Sequence, residues 1–193
     1  MNEDPTLPER SLPMRLFIGL PLSDDARACT ARCAAQAAQA IPGRYTLSSN
    51  YHITLAFIGD VPPQRLDDAI AAVSEVSARF GAPRVTLGGL SYFNKPEKAI
   101  LIRTAQSPDD LTALHEALCS ALSSRGLPAQ REPFSPHVTL ARHADLTTAP
   151  APQAPPPAAF TAEHAVLYLS ARDEENVLRY TPLHAAPFAP RSI

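Results

Sequence analysis

The sequence predicts an α+β fold of two related halves that face each other across a cleft. The order strand, capped helix, strand occurs twice, and each second strand opens with His-x-Thr-Leu, at residues 52–55 and 137–140. The pitch also matches: 29 residues separate Ser23 from His52, and 30 separate Ser107 from His137. Bringing two equivalent strands together around a pseudo-twofold axis leaves a cleft between the halves.

Residues 14–20 (MRLFIGL) are a short apolar run and predict a buried strand. Ser23, followed by Asp24 and Asp25, predicts an N-cap with acids in the first turn of an alanine-rich helix, which Ile41-Pro42-Gly43 ends. Residues 52–58 (HITLAFI) predict the second strand, closed by Gly59-Asp60. Pro62 or Pro63 opens the next helix, where Leu66, Ile70, Val73 and Val76 recur at helical spacing. Residues 85–93 and 99–104 predict strands joined by a hairpin at Asn94-Lys95-Pro96-Glu97. Ser107-Pro108-Asp109-Asp110 then caps a helix with the stripe Leu111, Leu114, Leu118 and Leu122, and Gly126-Leu127-Pro128 stops it. A strand begins at 137–140. Residues 149–158 (APAPQAPPPA) predict a polyproline-like loop where the first half has a helix. Strands at 165–170 and 177–183 flank a last hairpin at Asp173-Glu174-Glu175-Asn176. The expectation is one bilobal domain over residues 14–184, with repeat units of about 14–93 and 98–184 and flexible tails at 1–13 and 185–193.

Composition narrows the class. Hydrophobic residues make up 45% of the 193 and charged residues 19%, which is globular rather than disordered. A net charge of −2 excludes a broadly basic nucleic-acid coat, so a phosphate ligand must be held by a local site. Three cysteines make no disulfide framework, and Cys29 and Cys33, on one helix face, read as small core-facing residues rather than a redox pair. The acidic, proline-broken N-terminus is unlike a secretory signal, and no apolar run reaches the roughly 20 residues of a membrane span. A soluble, cytoplasmic monomer is expected.

In an extended strand His52 and Thr54 share one face while Ile53 and Leu55 share the other; His137 and Thr139 repeat this, with Val138 and Leu140 behind them. Given 6 His, 12 Thr and 22 Leu, two chance copies of the pattern arise roughly once in a thousand such sequences. One histidine on a polar strand face is usually only solvated; two in register converge on one cavity. A metal site needs three or four ligands, and no Asp, Glu or Cys stands at matching positions in the two motifs, so neither metal nor cofactor is expected. A Ser or Cys nucleophile motif is also missing. Two imidazoles and two hydroxyls suit in-line phosphoryl transfer. One imidazole takes a proton from the attacking oxygen, the other gives one to the leaving oxygen, and the hydroxyls bind the non-bridging oxygens. Such a pair titrates as a unit and makes a bell-shaped pH profile.

The stretches RLFIGLPL (15–22), NYHITLAFIGDV (50–61), PFSPHVTLAR (133–142) and RYTPL (179–183) carry a family resemblance. The chain resembles the two-histidine phosphoesterase superfamily, and within it the RNA 2′,3′-cyclic phosphodiesterases historically called 2′-5′ RNA ligases. The resemblance implies two antiparallel sheets related by pseudo-twofold symmetry, with helices outside and a central cleft. It implies hydrolysis of 2′,3′-cyclic phosphates on RNA ends or nucleotides to 2′-phosphates, with ligation as the same step reversed by an RNA 5′-hydroxyl. By that resemblance His52 is the general acid, His137 the base that activates water, Thr54 and Thr139 the groups that bind the phosphate oxygens, and Arg142 a charge near the phosphate or ribose. Strict alternation, however, turns Arg142 away from the His137 face unless the strand bends before it. The chain also departs from the family pattern. Tyr45 is the nearest aromatic where relatives often carry tryptophan, and Glu132 stands before Pro-Phe where many carry arginine, with Arg131 one place back. The alternatives are a phosphoesterase for a smaller cyclic nucleotide or a 2′-5′ oligonucleotide, and a nucleotide- or RNA-binding module without turnover.

Phe17 and Tyr180 are candidates to stack a base, or else packing residues. Lys95, Lys98 and Arg103, in or near the central hairpin, are candidates to steer RNA, and a solvated loop explains the two lysines equally well. His115, His143, His164 and His184 read as surface or strand-edge residues, and Pro152-x-x-Pro155 as a stiff surface loop rather than a peptide ligand.

Overall fold

A computed structural model describes residues 12–107, 109–129, 133–147 and 155–190. The first apolar run is strand β1 (Met14–Pro21). Ser23 accepts the Ala26 N–H at 3.3 Å and caps helix α1 (Asp24–Ala38), whose first turn places Asp24 and Asp25 at the positive end of the helix dipole. A two-residue strand β2 (Arg44–Tyr45) precedes β3 (His52–Val61), helix α2 (Leu66–Ser77), β4 (Arg84–Phe93) and β5 (Ala99–Gln106). Asp110 is the cap of helix α3 (Leu111–Ser124), accepting the Ala113 N–H at 2.9 Å. Strands β6 (His137–Ala144), β7 (Ala158–Thr161), β8 (His164–Arg172) and β9 (Leu178–Pro187) complete the order.

Among the described residues the strands form one nine-stranded antiparallel sheet, ordered β7-β4-β5-β6-β3-β1-β8-β9, with β2 on β6. Its two lobes meet between β3 and β6 at the pair Ile53↔Val138. Outward from that seam, β5 answers β1, β4 answers β8 and β7 answers β9. Each lobe therefore borrows strands from the other half of the chain: β8 and β9 extend β1, while β4 pairs with β5. The helices cross over as well. The His115 side chain of α3 bonds Leu55 on β3, and Thr30 of α1 bonds Arg103 on β5. The fold is thus α+β and bilobal, and the two expected antiparallel sheets are continuous as one sheet whose lobes join at a single narrow seam.

The core lies behind the motifs. Leu16, Ile18 and Leu20 of β1, Ile53 and Leu55 of β3, and Val138 and Leu140 of β6 are buried in one cluster that also holds the α3 stripe Leu111, Leu114, Leu118 and Leu122. Two sequence expectations change here. Arg103 is 0% exposed and cannot steer RNA: its position on β5 matches that of core-facing Leu20 on β1. Its guanidinium donates to Gly88 O at 3.1 Å, Thr30 Oγ1 at 3.1 Å and Pro156 O at 2.5 Å, pinning α1 and the end of the proline-rich segment to the sheet. His115 is buried rather than at the surface.

The stretch expected as a C-terminal tail is structured through its first residues. β9 runs to Pro187, paired with His164, and Phe188 is 8% exposed with its N–H on Glu163 O. The expected tail at 1–11 and its counterpart at 191–193, together with Pro108, Arg131, Glu132 and Pro152 of the Pro-x-x-Pro pattern, lie outside the described residues. Among the described residues no helix is long and apolar enough to cross a membrane.

Candidate active site

The seam brings the motifs together. With Ile53 opposite Val138, the antiparallel register sets His52 across from Thr139 and Thr54 across from His137. The two histidines are then diagonal neighbours, roughly 7–8 Å apart at their backbones. Burial alternates as the period of two requires: Ile53, Leu55, Val138 and Leu140 face the core, and the four motif side chains lie half-buried on the opposite face.

Both imidazoles are anchored alike. His52 Nδ1 lies 2.7 Å from Asn50 O, and His137 Nδ1 lies 2.7 Å from Ser135 O. A carbonyl can only accept, so Nδ1 carries the proton in each ring and Nε2 is the atom left for chemistry. In the neutral ring His52 Nε2 accepts from the Thr54 hydroxyl at 3.0 Å. Asn50 is itself buried: its Nδ2 donates to Leu178 O at 2.8 Å and its Oδ1 accepts the Tyr180 N–H at 3.2 Å, fixing the anchoring carbonyl to β9. Gly19 leaves space for the ring, since a Cβ there would stand 3.1 Å from His52 Cδ2.

The bend that Arg142 requires is present. The register jumps from Ile102↔Thr139 to Leu101↔Ala141, so Leu140 is an extra residue, a β-bulge, and Leu140 and Ala141 are both buried in succession. The bulge reverses the alternation and returns Arg142 to the His137 face, where its charge acts on both histidines. The first motif bulges at the same place: Leu55 is skipped between Gly19↔Thr54 and Ile18↔Ala56. Each bulge carbonyl has its own partner outside the ladder. Leu140 O accepts the Thr46 N–H at 2.8 Å, and Leu55 O accepts from His115 Nδ1 at 2.7 Å. The His115 ring also stacks on Phe134 at 4.7 Å and 8°, so it ties the first motif to the segment leading into the second.

Aromatic rings wall both histidines. Phe17 lies 4.7 Å from the His52 ring, and Tyr180 meets His52 edge-on at 5.1 Å. Phe17 is only 4% exposed and backs the imidazole; Tyr180 is half-buried and borders the cleft. Tyr168 stacks on Phe17 at 5.1 Å, and Phe93 meets His137 edge-on at 4.9 Å. Sequence reasoning missed these last two, along with Asn50 and His115. The pseudo-symmetry was the available signal: Tyr168 pairs with Phe17 across β8–β1, as Phe93 pairs with Ile100 across β4–β5.

Burial is the largest influence on the titration of the pair. It pushes His52 down to about 4, with the Asn50 carbonyl opposing and the charges of His137 and Arg142 adding to the fall. His137 is lowered for the same reason, against its Ser135 hydrogen bond and helped by Arg142. Both rings are thus neutral at neutral pH when the cleft holds no anion. Burial raises Tyr168 and Tyr180, which stay protonated. Among the described residues no three His, Cys, Asp or Glu side chains are grouped as metal ligands.

Comparison with known proteins gives the family and the fold. The family model described as 2′-5′ RNA ligase superfamily matches residues 20–174. A curated Geobacillus stearothermophilus protein named RNA 2′,3′-cyclic phosphodiesterase is 33% identical over 128 residues; the match covers 65% of this chain and only 41% of that protein's length. A solved structure from Thermus thermophilus is 26% identical with a TM-score of 0.72, covering 93% of this chain and 100% of the other. Escherichia coli LigT complexed with 3′-AMP is 27% identical with a TM-score of 0.69, covering 92% of this chain and 99% of the other. Motifs, fold and family match coincide, and the chain belongs to the 2′-5′ RNA ligase superfamily.

Proposed function

We propose that the protein is an RNA 2′,3′-cyclic phosphodiesterase that opens cyclic phosphate ends to 2′-phosphates. His137 Nε2 takes a proton from water as the water oxygen bonds to phosphorus. The bond from phosphorus to the 3′ oxygen breaks, and that oxygen takes the proton on His52 Nε2. Thr54, Thr139 and the Arg142 guanidinium hold the non-bridging oxygens, whose charge grows in the transition state. Thr54 leaves its bond to His52 Nε2 for the phosphate once that nitrogen is protonated. Tyr180 borders the nucleoside, and Phe17 acts by supporting the His52 ring. An RNA 5′-hydroxyl in place of water runs the step as 2′-5′ ligation. Both proton transfers belong to imidazoles, so no metal ion takes part. All of these groups come from one chain, so a monomer can complete the site.

The observation that carries the proposal is the matched anchoring of two imidazoles, each holding Nδ1–H on the carbonyl two residues back, with Arg142 acting on both. The proteins it resembles carry the name of this activity. The test is hydrolysis of an RNA oligonucleotide ending in a 2′,3′-cyclic phosphate, with EDTA, by wild type, His52→Ala and His137→Ala. A wild-type 2′-phosphate product with about a 10²–10⁴-fold loss in each variant is expected. Turnover surviving in either variant sinks the paired mechanism. Tight binding of the cyclic end without turnover by wild type makes the protein a binding module instead.

A further inference from the structure

We propose that Arg15 forms a second phosphate subsite, which holds the phosphodiester on the 5′ side of the cyclic end and makes the enzyme favour RNA ends over mononucleotides. This rests on the function proposed above and extends it to substrate length. The pseudo-symmetry exposes the need for such a cation. Arg142 stands five residues after His137, and Phe57 stands five after His52. Both are brought to the site face by equivalent bulges. The first repeat thus has a phenyl ring where the second has a guanidinium. Arg15 fills the place, with its guanidinium carbon over the Phe57 ring at 5.1 Å from the centroid.

Arg15 shares the site face of β1 with Phe17 and Gly19, while Leu16, Ile18 and Leu20 face the core. It is exposed, and among the described residues no carboxylate pairs with it, including Asp60 directly across the ladder. Gly19 abuts the His52 ring, and four residues of strand place the Arg15 backbone about 13 Å further along the cleft. That is beyond the reach of the reacting phosphate, and the proposed path of the chain leading to it runs there. The charges agree with this order: Arg15 and Arg142 both act on the Tyr180 hydroxyl, but of the two only Arg142 acts on the histidines. Tyr180 is within electrostatic reach of both cations. A free guanidinium in this position presents a planar fork that matches phosphate oxygens. The cyclic phosphate is at the 3′ end, so the neighbouring phosphodiester lies on its 5′ side.

The test compares kcat/KM for adenosine 2′,3′-cyclic phosphate, the dinucleotide ApA with the same cyclic end, and that dinucleotide with a neutral methylphosphonate linkage. Arg15→Gln lowers the value for the charged dinucleotide about threefold to fivefold, the upper size of an exposed charge contact, and changes the mononucleotide less than about twofold. The methylphosphonate dinucleotide is a poorer wild-type substrate and is indifferent to Arg15→Gln, while Arg15→Lys retains part of the preference. Equal loss on all three substrates overturns the subsite and makes Arg15 a structural residue or part of the reacting centre. No loss on the charged dinucleotide overturns it outright. Wild-type failure on every substrate sinks the proposed function itself, a result distinct from either.

Discussion

Raising the pH drains the proton from the His52–His137 pair, and the structure sets where this happens. Burial lowers both rings, His52 to about 4, so the singly protonated pair that in-line transfer needs is populated in the free enzyme only below the ordinary histidine value of about 6.5. The sign follows directly: a lowered histidine gives up its proton earlier as pH rises, so the alkaline limb of kcat/KM begins below 6.5 and falls about tenfold per pH unit above it. Substrate changes the balance. An anion about 4 Å from an imidazolium, at an effective dielectric constant near 20, favours the charged ring by about 4 kcal/mol. At 1.36 kcal/mol per unit this moves the alkaline limb of kcat about 2 to 3 pH units above that of kcat/KM, far enough for His52 to act as an acid near neutrality. The assay is steady-state hydrolysis of an oligonucleotide 2′,3′-cyclic phosphate from pH 4 to 9, fitted separately for kcat and kcat/KM. A kcat/KM profile flat from pH 6 to 8.5 would refute the histidine mechanism. Coincident limbs for kcat and kcat/KM would show that the anion does not sit between the rings.

Two further substitutions probe the surroundings of the pair. Arg142→Ala lowers kcat/KM about 10²-fold through lost phosphate stabilisation; because Arg142 depresses both histidines, the same variant moves the alkaline limb of kcat/KM upward, a displacement that a purely structural residue would not produce. His115→Ala leaves the Leu55 carbonyl without its partner and removes the stack on Phe134, costing about 1–3 kcal/mol. At about 2–4 °C per kcal/mol for a chain of this size, its Tm falls by about 2–12 °C in a thermal melt; an unchanged Tm would show that the bulge needs no support from α3.

What was legible in the sequence was whatever repeats at the period of local structure. The alternation of His52 and Thr54 against Ile53 and Leu55 needs only a strand, and the Ser23 and Asp110 caps need only a helix start. The repeat of the motif then implied the two lobes, and Gly126 with its φ of 66° ends α3 where the pattern places the stop. Side chains whose roles depend on non-local partners stayed hidden. Arg103 looks like any hairpin cation until β5 registers against β6 and α1 lies over it. His115 has no motif of its own, because its meaning comes from the carbonyl that the Leu55 bulge frees.

The sequence by itself therefore determined helices α1, α2 and α3, the longer strands, the paired histidines and the face on which each lies, since these follow from backbone periodicity within single elements. The short strands β2 and β7 it did not, because they exist only through their partners β6 and β4. Only the tertiary structure decided that β4 and β8 exchange lobes, that His52 stands across from Thr139, and that Arg142 turns inward. The physical reason is register. A strand shows which residues share a face, but one extra residue against its neighbour reverses that face for everything beyond it, and the extra residue exists only relative to the partner strand.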